Sequence, residues 1–169
     1  MSPAVDAPPE MAVPDDAAER LAGSIRFATI SHEDPTAFDA QPFRGLRAYM
    51  AEVFPKVNSE LQREIIANHS LLYTWRGTDS SLKPILLIGH LDVVPIEPGT
   101  RAQWQQDPFS GRIVDGFIWG RGAIDNKSAV VGTLEAVEML LREGFRPERT
   151  IYLAYGHDEE VGGTKGARE

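Results

Sequence analysis

PILLIGHLD, residues 84–92, is a run of apolar residues that leads directly into a histidine and an aspartate. An almost wholly apolar run of this length predicts a strand buried on both faces, at the centre of a sheet covered by helices. Residues 150–155, TIYLAY, predict a second apolar strand, and a helix predicted over 127–143 lies between the two. This order predicts an α/β fold, a three-layer αβα arrangement around a mainly parallel central sheet.

The chain on either side of these strands predicts further elements of the same fold. Four prolines within residues 1–14 predict a flexible leader. Two helices are expected, one from Asp15 and Asp16 to about Ala28 and one from Pro42 to Phe54, where Pro55 ends it. Strands are expected at 60–67 and 70–76, with a hairpin around Asp115-Gly116 in residues 112–119.

The composition excludes several classes of function. The chain has 169 residues, enough for one domain, and no cysteine, which excludes disulfides, iron–sulfur clusters, thiolate zinc sites and a cysteine nucleophile. A net charge of -8 argues against a nucleic-acid partner. No apolar run approaches the roughly 20 residues of a membrane helix, and no signal peptide is recognisable, so we expect no membrane partner and a cytoplasmic location.

The first group of candidate site residues is His90 and Asp92, at the carboxyl end of the first strand. Side chains at i and i+2 of an extended chain point the same way, so the Asp92 carboxylate can orient the His90 imidazole. Such a pair is typical of a metal-bound histidine. The alternative is that both residues only cap backbone groups at the end of the strand.

The second group is Gly120-Arg121-Gly122-Ala123-Ile124-Asp125-Asn126-Lys127, just before the central helix. The two glycines permit an unusual backbone path, and Asp125 lies where a helix N-terminus favours a carboxylate. Asp125 is either a metal ligand or only an N-cap. A phosphate-binding loop fits poorly, because Asp125 and Asn126 separate Gly122 from Lys127.

The third group is His157-Asp158-Glu159-Glu160, which follows the second strand. One carboxylate of such a group can hold a metal while another moves protons. The alternative is that these residues form only a solvated acidic turn with no catalytic role. The three groups lie at one predicted edge of the sheet. One imidazole, several carboxylates and no thiolate suit zinc, cobalt or manganese in a hydrolytic site.

These motifs resemble the signatures of the zinc peptidase and amidohydrolase family of aminoacylase, carboxypeptidase S and succinyl-diaminopimelate desuccinylase, and most closely its carboxypeptidase S and N-acyl-amino-acid hydrolase branch. The resemblance rests on residues 90–95, on the segment from Trp104 to Lys127 and on residues 156–160. It implies hydrolysis of an amide bond, with a small peptide or an N-acyl amino acid as substrate.

The resemblance also implies roles for individual residues at a site with two zinc ions. His90 would bind one zinc, Asp125 would bridge both, and Glu160 would bind the other. Asp92 would orient His90, and Glu159 would be the general base that takes a proton from water. The peptide bond between Asp125 and Asn126 is expected to be cis. Asn126 replaces an aspartate that many relatives have, and we expect this change to be mild.

The family uses two further ligands and a lid and dimerisation domain, which supplies its homodimer contacts, and none of these is found in this sequence. Residues 15–169 are therefore expected to be the N-terminal part of a catalytic domain, incomplete at its C-terminus. This piece is expected to be inactive alone and to expose a sheet edge or an apolar face. Two other readings remain open: a non-catalytic remnant that binds a partner, and a nucleotide-binding module.

Overall fold

The structure is a computed structural model, and it describes residues 12–168. The leader predicted for residues 1–14 lies almost wholly outside these residues and stays a prediction. The helices and strands, in chain order, are α1 (Ala17–Ile25), α2 (Ala40–Val53), α3 (Pro55–Glu60), β1 (Gln62–Ile66), β2 (Ser70–Trp75), β3 (Ile85–His90), β4 (Arg112–Val114), β5 (Phe117–Trp119), α4 (Lys127–Arg142) and β6 (Ile151–Gly156). Within residues 12–168, no helix has the length and apolar character that a membrane crossing requires.

The main sheet has four strands in the order β1-β2-β6-β3. The α/β class is confirmed. The sheet is mixed, since β3 and β6 are the only neighbouring strands of residues 12–168 that pair in parallel, where a mainly parallel sheet was expected. Strands β1 and β2 are joined by a short turn, which forces an antiparallel pair, and β2 pairs antiparallel with β6 as well. The helical crossover through α4 produces the single parallel pair.

Strand β3 lies at the open edge of the described sheet rather than at its centre. Leu86 is 59% exposed and Ile88 is 74% exposed, so the prediction of a strand buried on both faces is not met within residues 12–168. Helices cover only the opposite face of the sheet in these residues, so the second helical layer of the predicted three-layer arrangement is not among them. The exposed edge and apolar face that the sequence analysis anticipated are both present in β3.

The hydrophobic core lies between α2, α3 and α4 and the covered face of the sheet. The apolar stripe of α4 contributes Val130, Leu134 and Val137, and these pack against buried residues of β2 and β6 such as Tyr73 and Leu153. The helices predicted from Pro42 to Phe54 and over 127–143 are therefore present as α2 and α4. Pro55 ends α2 as expected, but it also opens the short helix α3, in the first helical turn that proline tolerates.

Helix α1 ends at Ile25, three residues before the predicted end. The Lys127 ammonium donates hydrogen bonds to the carbonyls of Ser24 (3.0 Å) and Phe27 (2.7 Å), and so satisfies backbone acceptors where α1 stops. Asp16 stands at the predicted N-cap, but its carboxylate contacts Arg20 instead of a backbone amide. A contact within the helix thus lies at the start of α1, and a contact from Lys127 of α4 lies at its end.

A buried ion pair joins α1 to α4. The Arg20 guanidinium donates two hydrogen bonds to the Glu135 carboxylate, at 2.7 and 2.6 Å, and both side chains are at most 9% exposed. The two parallel hydrogen bonds fix the relative position of the helices. If Glu135 is removed, the mostly buried Arg20 loses its buried partner and keeps only the exposed carboxylate of Asp16.

We expect Glu135→Ala to lower the free energy of unfolding by about 3–5 kcal/mol, because it removes the buried carboxylate that pairs with Arg20 and leaves this guanidinium only the exposed carboxylate of Asp16. Urea denaturation followed by circular dichroism measures this change. Glu143→Ala, an exposed glutamate after the end of α4, is the matched control and should change stability by less than about 0.5 kcal/mol. A loss below about 1 kcal/mol for Glu135→Ala would contradict a stabilising role for the pair.

Candidate metal centre

His90 is the last residue of β3, and the adjacent Asp92 contacts its ring. The His90 Nδ1 atom lies 3.1 Å from the Asp92 carbonyl oxygen and 3.3 Å from its carboxylate Oδ1. The ring therefore presents its other nitrogen, Nε2, to the carboxyl end of the sheet. Asp92 therefore lies where the sequence analysis expects it to contact the His90 ring, and its role in orienting that ring stays a prediction.

The Asp92 carboxylate also holds the segment that carries the two glutamates. It is fully buried, and it accepts hydrogen bonds from the backbone N–H groups of Glu159 and Glu160, each at 3.1 Å. Because β3 and β6 are parallel, with His90 beside Gly156, the residues after both strands reach the same edge of the sheet. Burial favours the neutral acid, but the bonds from His90 and the two N–H groups keep the pKa of Asp92 below its ordinary value.

Asp125 approaches His90 from the loop that joins β5 to α4. Gly122 has a φ of 85°, and a Cβ there would lie 2.7 Å from a methyl group of Val93, so the loop passes this point only with glycine. The Asp125 carboxylate lies 3.0 Å from His90 Nε2. The bond between Asp125 and Asn126 is cis, as expected. Asn126 holds the N-cap position of α4, so the alternative of Asp125 as an N-cap is not met.

Three of the predicted residues form a group that fits a metal ion. His90, Asp125 and Glu160 each offer one ligand atom, and these atoms all lie within 4.8 Å of one another. One imidazole nitrogen and two carboxylates are a ligand set that divalent zinc accepts in catalytic sites. Glu159 stands beside this group, with its carboxylate Oε2 3.8 Å from His90 Nε2 and its side chain 60% exposed. The residues present therefore fit a divalent metal.

The charges in this group shift the protonation of its members. Burial disfavours the charged imidazolium, but Asp92 and Asp125 outweigh it and raise the pKa of His90 to about 9. Burial raises the pKa of Glu160, and the neighbouring carboxylates of Asp125, Asp92 and Glu159 raise it further. In the metal-free chain His90 is therefore protonated at neutral pH, and a metal that binds its Nε2 displaces this proton.

His157 and Asp158, which the sequence places in the same acidic motif, do not join the group. The His157 side chain is buried among Phe38, Phe43 and His69, and its Nδ1 lies 2.6 Å from the Ser70 hydroxyl. Burial is the main reason that the pKa of His157 is lowered. Asp158 accepts a hydrogen bond from the Lys165 N–H and so folds the turn that follows the glutamates.

The nucleotide-binding alternative conflicts with the position of Lys127. This residue is 1% exposed, and its ammonium is already bound to the carbonyls at the end of α1. A phosphate-binding lysine must have its ammonium free to contact the phosphate, and the ammonium of Lys127 is buried and already bound to backbone carbonyls.

The sequence analysis names Asn126 but does not predict its contact with His90. The Asn126 side-chain oxygen accepts the backbone N–H of His90 at 3.3 Å. The only signal available was its position directly after Asp125, where asparagine ordinarily caps the following helix.

Comparison with known proteins agrees with this geometry. The sequence profile of Peptidase family M20/M25/M40 matches residues 86–169. The chain is 51% identical over 152 residues to probable carboxypeptidase S-like 2 of Dictyostelium discoideum, a match that covers 89% of this chain and 29% of that protein. It is 40% identical over 153 residues to N-fatty-acyl-amino acid synthase/hydrolase PM20D1 of Xenopus tropicalis, again over 89% of this chain and 29% of that protein.

Among solved structures, the M20 family metallo-carboxypeptidase Sso-CP2 from Sulfolobus solfataricus has a TM-score of 0.69 at 25% identity. That match covers 88% of this chain and 32% of the other. The fold and the motifs thus agree with the resemblance that the sequence predicted, and the chain spans 29% of the length of both curated relatives. The chain belongs to peptidase family M20/M25/M40.

Proposed function

We propose that this chain is the metal-binding part of a zinc-dependent hydrolase of amide bonds, of the carboxypeptidase or N-acyl-amino-acid hydrolase type. The observation that carries the proposal is the convergence of His90, Asp125 and Glu160, with Glu159 beside them. Membership of a metallopeptidase family implies a divalent metal. The identity of that metal as zinc, with cobalt or manganese as alternatives, and a count of two ions per complete site belong to the proposal.

His90, Asp125 and Glu160 would hold the metal, and Asp125 would be the carboxylate shared by two ions in a complete site. When bound, the metal polarises the substrate carbonyl and lowers the pKa of water. Asp92 keeps the His90 ring in one orientation because its oxygens accept a hydrogen bond from Nδ1–H, which leaves Nε2 as the ligand atom.

Glu159 is the general base of the proposed reaction. Its side chain is 60% exposed beside His90 and its backbone is held by Asp92, so its carboxylate is free to take a proton from the attacking water. It then returns this proton to the nitrogen of the leaving amine, which completes cleavage of the amide bond. Glu160 has a different role from Glu159, because its carboxylate is one of the three proposed metal ligands.

The substrate class is a small peptide or an N-acyl amino acid. The names of two relatives, a carboxypeptidase S-like protein and an N-fatty-acyl-amino acid synthase/hydrolase, support this proposal. Residues 15–169 are proposed to be the N-terminal part of the catalytic domain and to be inactive without the lid, through which the full-length protein would form a homodimer. A cytoplasmic location and the absence of nucleic-acid and membrane partners stay predictions.

The second candidate is a non-catalytic module that binds a partner. The observation that favours it is the open edge of β3, where Leu86 and Ile88 are exposed. A partner-binding module does not need His90, Asp125 and Glu160 to converge. Metal binding and hydrolysis would therefore favour the hydrolase over this second candidate.

We expect this chain to bind zinc in the micromolar range or tighter, and Asp125→Ala and Glu160→Ala each to abolish the binding, because each removes a ligand. Isothermal titration calorimetry measures the affinities. Glu97→Ala, an exposed glutamate outside the group, is the matched control and should bind as the unchanged chain does. Equal affinity in all four chains would contradict a site at these residues.

Glu159→Gln should leave the zinc affinity within about threefold, because the proposed base is not a ligand, whereas Glu160→Gln should weaken it by about tenfold or more. The same calorimetry compares the two. If Glu159→Gln loses affinity as Glu160→Gln does, the assignment of base and ligand is wrong.

Hydrolysis is testable in a chimera, because the chain alone is expected to be inactive. Residues 12–168 would replace the matching region of the Xenopus tropicalis relative, and the product would be assayed with N-fatty-acyl amino acids. We expect hydrolysis, with Glu159→Gln lowering kcat by about 10²–10⁴-fold. A chimera that folds and binds zinc but hydrolyses no substrate would refute the catalytic proposal for these residues.

A further inference from the structure

Asn126 occupies a position at which its side chain would ordinarily stabilise a helix. It is the N-cap of α4, yet its side chain makes no capping hydrogen bond to that helix. Asparagine is among the strongest N-caps because its oxygen accepts an N–H of the first helical turn. Here that oxygen is instead turned toward β3, where it accepts the backbone N–H of His90 at 3.3 Å.

This contact reaches His90 from the open edge of the sheet. The N–H of Leu91 points to the opposite side, where it donates to the Gly156 carbonyl of β6 at 2.7 Å. Successive N–H groups of a strand alternate in direction, so the N–H of His90 faces the edge at which no strand pairs with β3 in residues 12–168. Asn126 supplies the acceptor that a neighbouring strand would otherwise provide.

The neighbouring residue Gly89 leaves the space that this contact needs. A Cβ at position 89 would lie 2.9 Å from the Asn126 side-chain oxygen and 3.0 Å from a methyl group of Val130. Either the asparagine or the start of α4 would have to move away from β3. The close approach of α4 to the strand thus depends on both residues.

We propose that Asn126 is a positioning residue that fixes the separation between His90 and Asp125 and thereby sets the affinity of the metal site. Asn126 is joined to Asp125 through the backbone and to the backbone N–H of His90 through its side chain. This connection helps to hold the Asp125 carboxylate 3.0 Å from His90 Nε2. The inference rests on the metal site of the proposed function, and it adds a residue that contacts no metal.

Two readouts on the present chain test the inference. The first is zinc affinity by calorimetry, for which Asn126→Ala should weaken binding by about 10–100-fold, as is usual when a residue that orients a ligand is lost. Asn126→Asp keeps an oxygen at the same place and should bind within about threefold of the unchanged chain. The second is hydrogen exchange of the His90 amide in the metal-free chain, which should become fast in Asn126→Ala and stay slow in Asn126→Asp.

Controls separate positioning from general loss of structure. Ser128→Ala removes a hydrogen bond to the Ile124 carbonyl in the same turn without touching β3, and it should leave the zinc affinity unchanged. Gly89→Ala should weaken zinc binding as Asn126→Ala does, and the double variant should lose no more than about the larger single loss, because both changes break one contact.

The outcomes distinguish this inference from the proposed function. If the unchanged chain binds no zinc, the proposed metal site fails, while exchange of the His90 amide still tests the contact with Asn126. Zinc affinity that is equal in Asn126→Ala and the unchanged chain overturns the inference, as does an equal loss in Ser128→Ala. Amide exchange at His90 that is unaffected by Asn126→Ala overturns it as well, whatever the zinc affinity.

Discussion

The buried carboxylate of Asp92 is the interaction on which the candidate site depends. Two strands end beside each other, and the chain after each carries a different part of the site. Asp92 accepts hydrogen bonds from the backbone of Glu159 and Glu160 on one side and lies 3.3 Å from the ring of His90 on the other. A fully buried carboxylate is stable only when its oxygens are bound in this way. The same bonds therefore stabilise Asp92 and fix the positions of the histidine and the two glutamates.

His90 is held from several directions at once. Asp92 lies against Nδ1, Asp125 lies against Nε2, and the Asn126 side chain binds the backbone N–H. A metal ligand held by its neighbours needs little reorganisation when the ion binds. The loop that carries Asp125 reaches this position because Gly122 adopts a backbone conformation that other residues rarely do, against the side chain of Val93.

Buried charges also fix the helices that support this loop. Arg20 and Glu135 join α1 to α4, and the Lys127 ammonium binds carbonyls where α1 ends. Glu138 accepts the N–H groups of Lys56 and Val57 and so attaches α4 to the start of α3. A buried charge that loses its partner is strongly destabilising, so these contacts restrict α4 to one position. The N-terminus of α4, where Asn126 lies, is thereby held close to β3.

The sequence by itself determined the α/β class, the elements on either side of the site and the residues that converge there. Local patterns were enough for this, because apolar periodicity reports a strand or helix and strand ends carry the chemistry of such folds. Only the tertiary structure decided that β3 forms an open edge, that His157 turns away from Glu160 and that Asn126 binds β3 instead of capping α4. An apolar run looks the same at the centre and at the edge of a sheet. The direction in which a polar side chain bonds depends on partners distant in sequence, which no local pattern contains.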